Sequence, residues 1–168
     1  MPKYDAQSAR AEVFTFKEGL FSAMGHDLRI AVTAFQVTVD DQTHAISATF
    51  DAHSLRVVGP AGGGSLSDKD RREIEHNIAD EVLDARRYPT IRFTSTRVTP
   101  RGEGFEIAGD LELHGQRRAI TFTTRREGQN QIASITLHQP DYGIKPYRAP
   151  RGVLQIKPDG RVELSLPA

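Results

Sequence analysis

Apolar and polar residues alternate along most of this chain, most regularly between Tyr88 and His114. Ile91, Phe93 and Ser95 fall on one side of an extended backbone, and Arg92, Thr94 and Thr96 fall on the other. Further on, Phe105, Ile107, Gly109, Leu111 and Leu113 share a face opposite Glu106, Ala108, Asp110 and Glu112. A period of two is that of a strand with one apolar side. Between the two runs, Pro100-Arg101-Gly102-Glu103-Gly104 has the composition of a hairpin loop longer than two residues. The centre of the chain is therefore predicted to be an antiparallel hairpin with one apolar face.

The same alternation predicts strands on either side. Ala11, Val13 and Thr15 oppose Glu12, Phe14 and Phe16 in a first strand. Lys17 to Leu28, with Gly19 and Gly25, reads as a loop or a broken strand. In Leu28 to Val39 the phase slips: Leu28, Ile30 and Val32 share one parity, and Phe35, Val37 and Val39 the other. Such a slip is what a bulge or sharp bend produces, and bends let a sheet curl into a barrel. After a turn at Asp40-Asp41-Gln42, Ile46, Ala48 and Phe50 align, and the extended pattern runs on through Leu55 and Val57. Gly59 to Ser65 is a flexible connection too short to divide two domains. A helix is expected over about residues 67–87. Ser67 is its candidate N-cap with Asp70 three residues on, Ile74, Ile78 and Val82 form an apolar stripe, and Pro89 marks the end. Beyond the central hairpin, Ile120, Phe122 and Thr124 align, then Ala133, Ile135 and Leu137. Gln139 to Gly152 is a proline-rich loop with the features of a lid. A closing hairpin of Val153–Lys157 and Arg161–Leu166 is expected around Pro158-Asp159-Gly160. About eight strands with one helix between them predict an all-β, antiparallel barrel or sandwich.

Composition narrows the function classes. The 168 residues suit one domain, residues 1–168, with a real core. Lys+Arg and Asp+Glu are both 22, and this balance argues against nucleic acid as the main partner. Cysteine is absent, which removes thiol catalysis and Cys-ligated metals. No apolar run approaches the length of a membrane span. The polar start MPKYDAQSAR lacks the apolar core of a signal peptide, so a cytoplasmic location is expected.

Six histidines invite a metal or acid–base reading, but none forms an H-x-H or H-x-x-x-H pair, so no metal site and no cofactor are expected. His26 and Asp27 are neighbours, and adjacent strand residues point to opposite faces. His114 suits a structural hydrogen bond. No G-x-S-x-G is present and no catalytic residue is assigned. Several of the cationic residues Arg86, Arg87, Arg117, Arg118, Arg125, Arg126, Lys145, Arg148 and Arg151 flank strand ends. They either ring a barrel mouth to hold an anionic head group or form a solvated face.

Three short motifs occur in order: YPTIRFTSTRV, GDLELHGQRRAITF and PDYGI. Together with Tyr4-Asp5 ahead of the first strand, they make the chain resemble the YceI-like family over nearly its whole length. That resemblance implies an eight-stranded antiparallel lipocalin-like β-barrel with a helix inserted between strands. It also implies non-catalytic binding of a long-chain amphiphile, such as a polyisoprenoid or fatty-acid-like lipid, inside the barrel as a carrier or sequestering protein. Gly25 to Leu28 and Gly59 to Ser65 depart from the family pattern.

The expected ligand-binding residues are Phe14, Phe16, Phe35, Phe50, Phe93, Phe105, Phe122, Ile135 and Leu137 on strand faces, with Tyr142, Tyr147 and Arg148 on the late loop. The same rings also suit a barrel packed solid by its own side chains. Two rival readings therefore stand beside lipid binding: a structural or interaction protein with no cavity, and a hydrolase using His26, Asp27 or His114. A long-chain lipid or isoprenoid is the expected partner, and a homodimer is permitted.

Overall fold

A computed structural model describes residues 2–18, 27–60, 66–148 and 155–167. In chain order the strands are β1 (Lys3–Asp5), β2 (Arg10–Thr15), β3 (Lys17–Glu18), β4 (Leu28–Val32), β5 (Phe35–Val39), β6 (Ile46–Asp51) and β7 (Leu55–Pro60). Helix α1 (Asp68–Asn77) follows and runs into a π-helical turn, Ile78–Val82. Then come β8 (Thr90–Arg101), β9 (Gly104–Leu113), β10 (Gln116–Glu127) and β11 (Asn130–His138). A 3-10 turn (Gln139–Tyr142), β12 (Gln155–Ile156) and β13 (Asp159–Pro167) complete the described elements.

Eleven of these strands join one antiparallel sheet in the order β1-β5-β6-β8-β9-β10-β11-β13-β2-β4-β7. The count exceeds the expected eight because three strands are bent in the middle. β1 and β2 both pair along the β4–β5 path, and β4 pairs β7 where β5 pairs β6. Each of these three pairs is therefore two halves of one wall, and eleven less three leaves eight walls. The ring closes because β2 holds β4 while β5, one bend further on, holds β6 and through it β8.

The bend falls at the phase slip between Val32 and Phe35. Ser54 anchors it from the connection between β6 and β7. Its Oγ accepts from Ala34 N–H at 3.1 Å and donates to Asp51 O at 2.8 Å, while its carbonyl accepts from Thr33 N–H at 2.9 Å. Ser54 is buried, and these bonds meet the polar groups that burial would otherwise leave unpaired. Two residues between Val32 and Phe35 restore the parity, so Leu28, Ile30, Val32, Phe35 and Val37 are all buried.

The turn at the tip of the central hairpin is tighter than predicted. Arg101 pairs with Gly104, leaving only Gly102 and Glu103 in the loop. Gly102 has φ of 60°, a left-handed conformation that a two-residue hairpin turn demands and glycine supplies without strain. Pro100 is tolerated beside it because β8 is an edge beyond Thr94, where β6 ends its pairing.

The predicted closing hairpin does not form. β12 pairs with β3, and β13 pairs with β11 on one side and β2 on the other. Both edges of β13 are taken by long ladders, which leaves no place for β12; Val153 and Leu154 lie outside the described residues.

Helix α1 begins as predicted. Ser67 Oγ accepts from Asp70 N–H at 3.1 Å, and Asp68 and Asp70 place negative charge in the first turn, where the helix dipole favours it. A Ser67→Ala variant is expected to lose about 1 kcal/mol of stability. At roughly 2–4 °C per kcal/mol, this is a small but measurable drop in melting temperature. The helix is tied to the outer edge of β7 by Glu75, whose carboxylate accepts Val57 N–H at 2.9 Å. The chain leaves helical geometry well before Pro89. Over 78–82 the bonds lengthen to i→i+5, as from Leu83 N–H to Ile78 O. That wider turn brings Ile78, Val82 and Leu83 to the barrel interior together.

Candidate functional site

The barrel is hollow. A cavity of about 620 Å³ occupies its interior, walled by the inward faces of the strands and roofed by α1 and the π-helical turn. Small residues on adjacent strands keep it open. Ala133 on β11 faces Leu164 on β13, which in turn faces Ala11 on β2, and all three line the space. Aliphatic and aromatic side chains make up nearly all of the wall.

The two ends differ. Beside the β10–β11 turn, Thr124 Oγ1 donates to Gln131 Oε1 at 2.8 Å and accepts from Phe105 N–H at 3.0 Å, and Gln131 Nε2 donates to Glu103 O at 2.9 Å. Polar groups at that end are satisfied within the protein. At the α1 end the cavity reaches Asp70, Glu73, Asn77, Tyr147 and Thr15. Asn77 Nδ2 donates to Tyr147 Oη at 3.2 Å. The Tyr147 phenol is held above its ordinary pKa, first by burial and then by the negative charges of Glu81 and Glu73, so it stays protonated.

Of the residues expected to hold a ligand, Phe50, Phe93, Phe122, Ile135, Leu137 and Tyr147 lie on the cavity wall. Phe93 and Phe122 meet there with ring centroids 5.5 Å apart. The other six are placed elsewhere. Phe14 and Phe16 take the opposite parity to Ala11, Val13 and Thr15 and lie under the Arg161 guanidinium, at 4.5 and 5.9 Å. A cation over a ring gives an outward aromatic a favourable cover. Phe35 is buried one layer from the cavity, stacked on Phe50 at 5.8 Å. Phe105 ends the inward face of β9 against the His44 ring at 5.2 Å. Tyr142 is buried beneath His114, and Arg148 is exposed.

The described members of the cationic group do not form a cationic mouth. Arg86, Arg87, Arg117, Arg118, Arg125, Arg126, Lys145 and Arg148 are all absent from the cavity wall. Arg117 pairs with Asp110 at 3.0 Å, Arg125 with Glu127 at 2.6 Å, and Arg87 lies over the Tyr88 ring. Of the alternatives weighed for this group, the solvated face is the one its described members fit. Arg151 falls outside the described residues.

The three sequence motifs converge at the β9–β10 turn. His114, with φ of 54°, donates from Nδ1 to Tyr142 O at 3.1 Å, and its ring packs on Tyr88 at 4.7 Å. Gly115 is needed because a Cβ there would come within 2.5 Å of the Tyr88 ring. The cluster locks the β9–β10 turn to the late loop, which is structural work for His114. Asp27 Oδ1 accepts Lys17 N–H at 2.9 Å, and His26 lies outside the described residues. Neither Asp27 nor His114 lines the cavity, so the acid–base pair that the hydrolase reading needs is not assembled among the described residues. No group of three His, Asp or Glu side chains suits a metal among them, and no described helix is long and apolar enough to cross a membrane.

Sequence reasoning missed the polar residues of α1 that reach the cavity. The stripe Ile74, Ile78 and Val82 was the available signal, since Asp70, Glu73 and Asn77 border it at helical spacing. It also missed Thr15 and Val13, whose strand face looked the weaker of two.

Comparison with known proteins fits this architecture. A YceI-like domain model matches residues 4–168. A UPF0312 protein of Pseudomonas putida strain W619 is 33% identical over 82 residues, which are 42% of this chain and 43% of that protein. A UPF0312 protein of Vibrio cholerae strain El Tor Inaba N16961 is 35% identical over 92 residues, 48% of this chain and 49% of the other. These alignments span a little under half the length of either relative. Among solved structures, Burkholderia cenocepacia BcnA superposes with a TM-score of 0.68 at 17% identity, covering 98% of each chain. A polyisoprenoid binding domain from Saccharophagus degradans, implicated in plant cell wall breakdown, gives 0.60 at 11% identity, covering 94% of this chain and 91% of that one. Both likenesses establish a shared fold.

Proposed function

Because the chain belongs to the YceI-like domain family, we propose that it binds a long-chain amphiphile, such as a polyisoprenoid, without chemically altering it, and serves as a carrier or sequestering protein. The cavity of about 620 Å³ with its apolar wall carries this reading. It falls within the range of about 300–1,000 Å³ typical of ligand sites, whereas a barrel serving only as a scaffold would fill the space with side chains. The tail lies against Phe50, Phe93, Phe122, Ile135 and Leu137, and the head group sits beneath α1 near Tyr147. Each buried methylene contributes about 0.8 kcal/mol, so about ten of them supply roughly 8 kcal/mol before ordering costs. The Saccharophagus domain, which shares the fold, makes a prenyl chain a reasonable cargo.

Native mass spectrometry of gently purified protein tests this reading, together with titration by the uncharged dye N-phenylnaphthylamine. Expected are a lipid-sized adduct or, for lipid-free protein, a saturable fluorescence gain reversed by a long-chain alcohol. No adduct and no dye binding would overturn the proposal.

A further inference from the structure

The polar groups at the α1 end of the cavity differ in kind from those at the far end. At the far end each is paired within the protein. At the α1 end, the Asp70 and Glu73 carboxylates line the cavity and make no ion pair or hydrogen bond among the described residues. Thr15 also lines it, with its Oγ1 buried, almost without accessible surface, and without a hydrogen-bond partner. The Tyr147 hydroxyl already accepts from Asn77, and the Asn77 amide oxygen remains an acceptor. The cations on the same helix, Lys69, Arg71 and Arg72, do not line the cavity. The mouth therefore presents two carboxylates, the amides of Asn77 and Gln139, and a protonated phenol, with no positive charge among the described residues that line it.

We infer that this mouth selects amphiphiles whose head group donates hydrogen bonds and carries no negative charge, an alcohol or an amine, and rejects long-chain carboxylates and phosphates. The inference rests on the binding reading above and specifies its ligand class. A carboxylate or phosphate head would meet Asp70 and Glu73 as like charges. A hydroxyl donates to a carboxylate, and an ammonium adds charge attraction as well. The alkyl tail is indifferent to this choice, so a family of ligands with one tail isolates it.

The test compares farnesol, farnesylamine, farnesoic acid and farnesyl phosphate as competitors for bound N-phenylnaphthylamine, using the full chain. Farnesol and farnesylamine are expected to compete at least about tenfold more strongly than the two anions, the effect of one like charge in a partly exposed site. In the variant Asp70→Asn/Glu73→Gln the anions are expected to gain about tenfold and farnesylamine to lose affinity, with farnesol little changed. Both substituted side chains are exposed, and loss of the Asp70 charge from the first helical turn is expected to lower the melting temperature by no more than about 4 °C, so a cooperative melt within that range is the sign that the variant folds normally. Anions that compete as well as the alcohol, or a selectivity unaltered in the variant, would overturn the head-group inference and leave the cavity reading standing. If none of the four competes, both fall together.

Discussion

An Ala133→Phe variant is expected to bind long-chain ligands about a hundredfold more weakly than the parent while melting at the same temperature or higher. Ala133 is buried on the cavity wall, flanked across β13 by Leu164 and Ala11. A benzyl group projecting from this position fills space a tail would take. Displacing about four methylenes at about 0.8 kcal/mol each removes roughly 3 kcal/mol of binding. A change of that size is about a hundredfold in affinity. In a solidly packed barrel the same substitution would force neighbours off their rotamers at about 1–3 kcal/mol in stability. Hollow and packed interiors thus give opposite results: lost binding with retained stability in one, lost stability in the other. Dye titration and thermal melting of the one variant read both. Ala11→Phe, on the other side of Leu164, is expected to behave alike. Unchanged affinity in both variants would show that the tail does not occupy this space.

Gly109→Ala is expected to be a strongly destabilising single-methyl change in the barrel wall. A Cβ at this position would lie 2.5 Å from Thr94 O and 2.6 and 2.8 Å from two atoms of the Phe93 ring. Gly109 pairs with Ser95 next to a register shift in β8, and the Phe93 ring covers the gap the missing side chain leaves. The carbonyl belongs to the β8 backbone, so relief requires the β8–β9 pairing to shift. Overpacking of this kind costs about 3 kcal/mol. For a chain of this size that corresponds to a fall of roughly 6–12 °C in melting temperature. Phe93 also lines the cavity, so the displaced ring would alter ligand binding as well. Adding Phe93→Leu is expected to restore part of the lost stability, because the ring accounts for two of the three close approaches. No recovery would assign the whole cost to the backbone clash.

The elements were legible because each rests on neighbours in sequence. Alternation located the faces of β9, β10 and β11, the spacing of Ser67 and Asp70 located the helix start, and the slip after Val32 located the bend. Two expectations failed, and one open alternative was decided, where the deciding contact lies far along the chain. The strand Arg10–Thr15 has apolar residues on both faces, and alternation cannot rank them. Phe14 and Phe16 looked the better lining, yet the inner face carries Ala11, Val13 and Thr15 because Arg161, distant in sequence, covers the rings from outside. Val153–Lys157 looked like the partner of the last strand, yet the ladders of β11 and β2 occupy both sides of that strand. Several of the arginines flank strand ends in sequence, yet members of the group pair with carboxylates or stack on a ring outside the barrel.

The sequence by itself determined the antiparallel barrel, its inserted helix and its family, since those follow from local periodicity, turn residues and short ordered motifs. Only the tertiary structure decided that the interior is hollow and that, among the described residues, carboxylates rather than arginines stand at its mouth. A cavity is the volume left when side chains from distant strands fail to meet, and no local pattern encodes how far apart they will be held.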